Sequence, residues 1–466
     1  MIIGRDAERI SLLESVKSEY SEFVAVYGRR RVGKTFLVRE TFGYSFAFHH
    51  TGMSKGGAKQ QLDAFAKSLS QQGFTVRRRP RSWLDAFFLL ENGLTALPTG
   101  KKVVFLDELP WMDTPKSDFV AALEHFWNGW ASMRRDILLV VCGSATSWIA
   151  TKLLKDKGGL HNRITRRIRL APFTLVECER FAEAKGLALT RRQVLEYYMA
   201  LGGIPFYWGF LGKGLSLDQN MDKLFFADGA DLEDEFEQLY ASLFKHPEGH
   251  VSVVSALAGK KQGLSRGELL DATGLQNNGG FTKVLADLCA CGFARAYHPP
   301  GKKRRDAIYQ LIDNFTLFHF AFLRGRASFA GCAASGSGGV RNAWEGLAFE
   351  RVCLEHLPQI KRALGISGVR TEAFTWRTTE GQGAQVDLVV DRADDIVNLC
   401  EMKFSSGEYE IDKEEHASLL RRRERFIATT KTRKAVHLTM VTTFGTVRNA
   451  YWNDIQSEVV MDDLFS

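Results

Sequence analysis

The chain has 466 residues, 45% apolar and 25% charged, with a formal net charge of +8. That length exceeds one core and predicts about three domains of ordinary globular composition. No apolar run approaches the ~18 residues of a membrane span, and the nearest, "FTLFHFAFL" at 315–323, is interrupted by His319.

The seven cysteines include no CxxC pair and have no accompanying histidine pair, which argues against a zinc site. Their odd number and the polar start "MIIGRDAERISLLE" predict a reducing, cytoplasmic setting and no membrane partner. Basic residues gather in "VRRRPR" (76–81), "HNRITRRIR" (161–169), "GKKRRD" (301–306) and "RRRER" (421–425). One such run is an ordinary solvated face; several together raise the nucleic-acid reading.

From residue 1 to about 175, short apolar runs alternate with helical stretches. The runs are "FVAVY" (23–27), "YSFAF" (44–48), "VVFLDE" (103–108), "ILLVVCGS" (137–144) and "RIRLAPF" (167–173). The alternation predicts an α/β fold with a parallel sheet covered by helices. Between the first run and a helix-forming stretch lies "GRRRVGKT". It fits G-x-x-x-x-G-K-[ST] over Gly28, Arg29, Arg30, Arg31, Val32, Gly33, Lys34 and Thr35. In that context the two glycines let backbone N–H groups turn inward around a phosphate. Lys34, expected in a solvent-facing loop, would reach the β and γ phosphates. Thr35 would offer its hydroxyl to Mg²⁺, and the helix N-terminus favours the anion.

The third run ends in Asp107 and Glu108. Two carboxylates at a strand tip suit a metal-side ligand, Asp107, and a base for water, Glu108. The fourth run ends at Gly143–Ser144, which in a doubly wound sheet faces the same crevice. Ser144 is there either to sense the γ-phosphate or position water, or simply as a polar strand end.

Together with "IIGRDAERISLL", "CGSATSWI", "NRITRRIRLAPFT" and "YYMALGGIPFYW", these pieces resemble the archaeal-type AAA+ P-loop ATPases also found in bacteria, over roughly the first 325 residues. The resemblance implies a Mg²⁺-dependent ATPase core at 1–175, a helical lid at 176–244, and a capacity to form homo-oligomers. That family usually has Gly before the Arg-Ile that leads into the fifth strand; here Asn162 stands before Arg163. Arg163 is the candidate for an arginine reaching the γ-phosphate, in cis or from a neighbouring subunit, with Arg166 and Arg167 as competitors.

Residues 245–330 have the rhythm of a winged helix. Ser265 is a candidate N-cap, and Phe281, Val284, Leu285 and Leu288 recur at helical spacing. Two strand-like runs flank a basic turn containing Lys302, Lys303, Arg304 and Arg305. Such modules place the third helix in the DNA major groove; Asn277, Asn278, Thr282 and Lys283 are its candidates for base edges. The alternative is a unit that only packs and assembles. "GCAASGSGG" (331–339) reads as a linker.

The last domain, 340–466, opens with an amphipathic helix bearing Glu350. Asp387 lies in "AQVDLVV", and Glu401 and Lys403 share one face of "IVNLCEMKF". A hairpin of these runs beside the helix would gather three carboxylates, suited to a hard cation held by Asp387 and Glu401, and a lysine that orients water. The D-x13-E-x-K pattern resembles the PD-(D/E)XK nuclease superfamily, which implies a restriction-endonuclease-like fold and a Mg²⁺- or Mn²⁺-dependent DNA nuclease. The reading is an ATPase controlling a nuclease in the same chain. Its alternative is an ATP-driven switch or scaffold whose terminal domains only bind DNA or protein.

Overall fold

Phe23, Val24, Ala25 and Val26 have no exposed surface. They form the middle of β1 (Glu22–Gly28), the strand that leads into the phosphate loop. The computed structural model describes residues 2–144, 146–154, 159–160, 162–297, 307–324, 338–378 and 383–466. It divides into two compact units, Met1–Pro172 and Phe173–Ser466.

In the first unit β1 is joined by β2 (Phe48–Thr51), β3 (Lys102–Asp107), β4 (Ile137–Gly143) and β5 (Arg166–Leu170). The order is β2-β3-β4-β1-β5 and every pairing is parallel. β3 and β4 are buried along their whole length, because a parallel sheet has helices on both faces and needs continuous apolar runs. One face is covered by Phe65, Trp83, Phe87, Phe119 and Phe126. The helix Trp83–Ala96 starts where Ser82 Oγ accepts from Asp85 N at 3.1 Å.

The second strand lies later than "YSFAF" suggests. Tyr44 has φ +58° in a turn, and pairing with β3 runs from Phe48↔Val104 to Thr51↔Asp107. His49 and His50 hide this strand in the sequence. His50 is buried, with Nδ1 2.9 Å from Ser68 Oγ.

The second unit begins with capped helices. Thr174 and Glu177 form a capping box on Leu175–Ala184, and Thr190 and Gln193 another on Arg191–Leu201. The second of these helices ends at Gly202, and at Gly203 a Cβ would lie 1.9 Å from the Phe173 carbonyl oxygen. After the helices Pro205–Trp208, Leu217–Phe225 and Glu235–Leu243 come Glu248–Ala258, Arg266–Thr273 and Gly279–Ala290. With them goes an antiparallel sheet ordered β6-β8-β7, from β6 (Leu264–Ser265), β7 (Ala294–Tyr297) and β8 (Ile308–Leu311). The basic turn with Lys302, Lys303, Arg304 and Arg305 lies outside the described residues, as does 331–337 of the expected linker. Gly338 and Gly339, also assigned to that linker, instead open the helix Gly338–Glu355.

The chain ends in a mixed sheet ordered β13-β12-β11-β10-β9. Its strands are β9 (Thr371–Thr378), β10 (Ala384–Arg392), β11 (Ile396–Lys403), β12 (Ala435–Thr442) and β13 (Ser457–Val460). β9, β10 and β11 are antiparallel; β11, β12 and β13 are parallel. Tyr297 and Ile308 share one apolar core with Phe374, Trp376 and Phe426, so the 248–311 unit and this sheet pack as one body. Arg295 Nη2 donates to Thr375 Oγ1 at 3.0 Å across the same junction.

Candidate functional sites

The C-terminal ends of β1, β3 and β4 form one edge of the first sheet, with β4 in the middle. Gly28 ends β1 with φ +153°, and a Cβ there would lie 2.2 Å from the Leu170 carbonyl oxygen. Only glycine allows the loop to leave so close to β5. Arg31 and Gly33 also have positive φ, which turns successive N–H groups inward. The helix Lys34–Thr41 has no side-chain cap on its first turn, so its leading N–H groups face the loop.

Lys34 departs from the solvent-facing position expected of it. It is 5% exposed, and Nζ donates to the carbonyls of Gly28 at 3.0 Å and Arg29 at 2.7 Å. Burial lowers its pKa, opposed by Cys142, Glu108 and Asp107. Thr35 Oγ1 donates to Asp107 Oδ2 at 2.8 Å, and Asp107 Oδ1 accepts from Glu108 N at 2.9 Å. Glu108 itself has φ +48°, a conformation that costs a non-glycine residue ~1 kcal/mol or more. Its Oε1 accepts from Ser144 Oγ at 2.8 Å and its Oε2 from Ser144 N at 3.3 Å. Lys34, Thr35, Asp107, Glu108 and Ser144 therefore meet at one mouth. A hydroxyl beside a carboxylate there is a donor set that suits Mg²⁺.

Arg163 is not brought to that mouth. It precedes β5, and Thr165 N donates to Phe23 O at the opposite, N-terminal end of β1. Five residues of strand, about 17 Å, separate Phe23 from Gly28. Strand pairing thus sets Arg163 near the opposite edge of the sheet from the loop. Asn162 has φ +59°, a left-handed position that asparagine tolerates and where a glycine would sit without strain. Arg166 is held by Glu14 at 2.8 Å, and Arg167 is exposed.

In the third-helix region, two of the four candidates for base edges are already engaged. Asn278 Oδ1 caps Phe281 N at 3.1 Å, and Asn277 Oδ1 accepts from Arg266 Nη2 at 2.8 Å. Thr282 and Lys283 are exposed.

The second site lies on the C-terminal sheet. The register Leu388↔Cys400 continues one step to set Asp387 opposite Glu401. A register shift between Val386 and Val389 interrupts pairing with β9 at this point, and Thr375 Oγ1 donates to the Asp387 carbonyl at 3.0 Å. Glu350 comes from the helix Gly338–Glu355. All three carboxylates are buried. Burial and the neighbouring Asp387, opposed by Lys261, raise the Glu350 pKa to about 7. Burial and then Glu401 push Asp387 up as well.

Lys403 Nζ lies 3.1 Å from both Glu401 Oε1 and Glu415 Oε1. Burial lowers its ammonium, but Glu401, Tyr409 and Glu415 outweigh it and hold the pKa above the usual lysine value. Two further cations were not singled out from the sequence. Arg422 pairs with Glu401 Oε2, and Lys261 pairs with Glu350 Oε1 and lies 3.6 Å from Asp387 Oδ1. They line a cavity of about 660 Å³ together with Asp387, Glu401, Arg421 and Arg425. The run "RRRER" was visible as charge, but its spacing places Arg421, Arg422 and Arg425 on one face of the helix Lys413–Thr430. Lys261 had no signal, because only the packing of a remote turn brings it here.

Asp387 and Glu401 in one cavity are the right donor chemistry for a hard cation. Among the described residues, however, no group of three or more His, Cys, Asp or Glu side chains is arranged to hold a metal ion. At this site the carboxylates are engaged by Lys261, Arg422 and Lys403 instead.

No family model matches the chain. An uncharacterized protein of Methanocaldococcus jannaschii is 22% identical over 333 residues, which cover 69% of each chain. The Walker-type ATPase of Pyrococcus abyssi is similar at 16% identity and a TM-score of 0.49, over 68% of this chain and 96% of that one. The ORC2 protein of Aeropyrum pernix, in its ADPNP–ADP complexes, is similar at 16% identity and a TM-score of 0.42, over 68% and 93%. Identities and scores of this order leave the function to be read from the sites themselves. Among the described residues no helix is long and apolar enough to cross a membrane.

Proposed function

We propose that the chain is a Mg²⁺-dependent ATPase of the AAA+ type that controls a DNA-directed nuclease site in its own C-terminal domain. The observation that carries the ATPase reading is the 2.8 Å hydrogen bond from Thr35 to Asp107 at the end of a glycine-built loop. It brings a loop hydroxyl and a strand-tip carboxylate to the mouth where Lys34 is held by two carbonyls. The phosphates of ATP lie along the loop N–H groups, and Lys34 turns from those carbonyls to the β and γ oxygens. Thr35 and Asp107 would hold Mg²⁺, which neutralises charge on the phosphates. Glu108 takes the proton of the attacking water, and Ser144 fixes the direction of its carboxylate. Arg163 serves a neighbouring copy. Calorimetric titration with ATP and Mg²⁺ tests this reading. Lys34→Ala should weaken binding by roughly 10- to 100-fold, the worth of a charge-assisted hydrogen bond of ~1.5–3 kcal/mol; unchanged affinity would count against it.

At the second site Asp387 and Glu401 would hold a divalent ion, which supplies Lewis-acid activation of a phosphodiester and its water. Glu350 supports them from the helix side, and Lys403 orients the water. Arg421 and Arg425 lie in the same cavity and suit the DNA backbone. The 248–311 unit is read as a winged helix that adds DNA contacts. A second reading, a nucleotide switch whose terminal domain only binds, is favoured by the pairing of Glu350 with Lys261 and of Glu401 with Arg422. Cleavage assays separate the two.

A further inference from the structure

The turn Gly259–Gly263 joins the helix Glu248–Ala258 to β6 and lies outside the C-terminal sheet in sequence. Its backbone is fixed from both sides. The Lys261 carbonyl accepts from Arg351 Nη2 and from Gln310 Nε2, each at 2.8 Å, and the Gln262 carbonyl accepts from Tyr297 OH at 3.1 Å. Arg351 is itself 2% exposed. The side chain is held differently: that of Lys261 is 49% exposed, whereas those of Glu350 and Asp387 are 5% and 7% exposed. The ammonium therefore reaches two buried carboxylates from a side chain that is half open to solvent.

Two buried carboxylates facing one another need a cation, because an unpaired buried charge is costly. Lys261 supplies it at Asp387, one of the two carboxylates that would bind a divalent ion, and at Glu350 beside it, while Glu401 is held by Arg422 and Lys403. An ammonium and a metal ion drawn to the same Asp387 oxygens repel each other, so the two compete for them. We propose that Lys261 is a tethered cation occupying the carboxylate site, and that a divalent metal binds there by displacing its ammonium while the turn stays in place. The inference rests on reading Asp387 and Glu401 as a metal site. It adds that the 248–311 unit, by placing the turn, sets the affinity of that site.

The test uses the full-length protein without nucleotide and Mn²⁺ as the only added metal, with free Mn²⁺ followed by electron paramagnetic resonance. Lys261→Met keeps the apolar stem and removes the charge. It should bind Mn²⁺ at least about fivefold more tightly than wild type, and the gain should vanish in Lys261→Met/Asp387→Ala. Lys261→Arg keeps a charge and should show no such gain. Wild type supplies a measurement that needs no variant: acetylation of the Lys261 amine, read by mass spectrometry, should speed up when Mn²⁺ is added. Equal or weaker Mn²⁺ binding by Lys261→Met, or Lys261 labelling unmoved by saturating Mn²⁺, would overturn the proposal. Absence of any Asp387-dependent Mn²⁺ binding in both wild type and Lys261→Met would overturn the metal-site reading itself, and the inference with it.

Discussion

Thr35 lies in the first turn of the helix that follows β1 and its loop, Asp107 ends β3, the strand on the other side of β4 from β1, and their side chains meet at 2.8 Å. Thr35→Ala removes one of the two groups assigned to Mg²⁺ and leaves the loop backbone intact. ATP affinity measured with Mg²⁺ should fall by roughly tenfold, near the ~1.5 kcal/mol of a hydrogen bond to a charged group. Affinity measured in EDTA should change little. Equal losses under both conditions would mean that Thr35 acts on the loop rather than on the metal.

Glu108→Gln keeps shape and hydrogen bonding to Ser144 but cannot accept a proton. Turnover should drop by ~10²-fold or more while ATP binding persists. Ser144→Ala frees the carboxylate that Ser144 holds at 2.8 Å and should cause a smaller loss of turnover. A steady-state phosphate-release assay compares the two; unaffected turnover in Glu108→Gln would move the base elsewhere.

The phosphate loop was legible because strand, loop and helix lie within one short stretch of chain, and each letter had a local reason. Asp107 and Glu108 were legible as a strand tip for the same reason. What failed was non-local. The sequence names Arg163 but not the sheet edge it occupies, which depends on how β5 pairs with β1. β2 was displaced because two histidines, one of them buried, broke the apolar pattern. Lys34 looked solvent-facing because a lysine in a loop ordinarily is; two carbonyls of the loop draw it in. At the second site Glu350, Asp387, Glu401 and Lys403 were named from spacing. Lys261 was not, since no pattern in its own turn points to a helix and a sheet far along the chain.

His356 predicts a pH dependence of stability. It is 1% exposed; Nδ1 lies 2.8 Å from Val352 O, and Nε2 accepts from Leu175 N at 3.0 Å. Burial lowers its pKa from 6.5 to about 4. The unfolded chain therefore takes up this proton at a higher pH than the folded chain. The contribution is complete above pH 6.5 and is lost as the pH falls toward 4, by up to about 3 kcal/mol at ~1.4 kcal/mol per pKa unit. Gln at this position can accept from Leu175 N without titrating. Thermal unfolding between these pH values should show a flatter pH dependence in His356→Gln than in wild type; parallel curves would remove His356 as a source.

The most direct measurement of the account is cleavage of linear, branched and single-stranded DNA by the purified protein, with Mg²⁺ or Mn²⁺ and with or without ATP. Metal-dependent cleavage whose rate changes with ATP is the expected result. Cleavage should be abolished by Asp387→Ala or Glu401→Ala, which should leave ATP hydrolysis nearly intact. Lys403→Ala should lose cleavage yet keep Mn²⁺ binding, because an ammonium is not a ligand. Wild-type protein that cuts no DNA under any of these conditions, or cleavage that survives Asp387→Ala, would contradict the account.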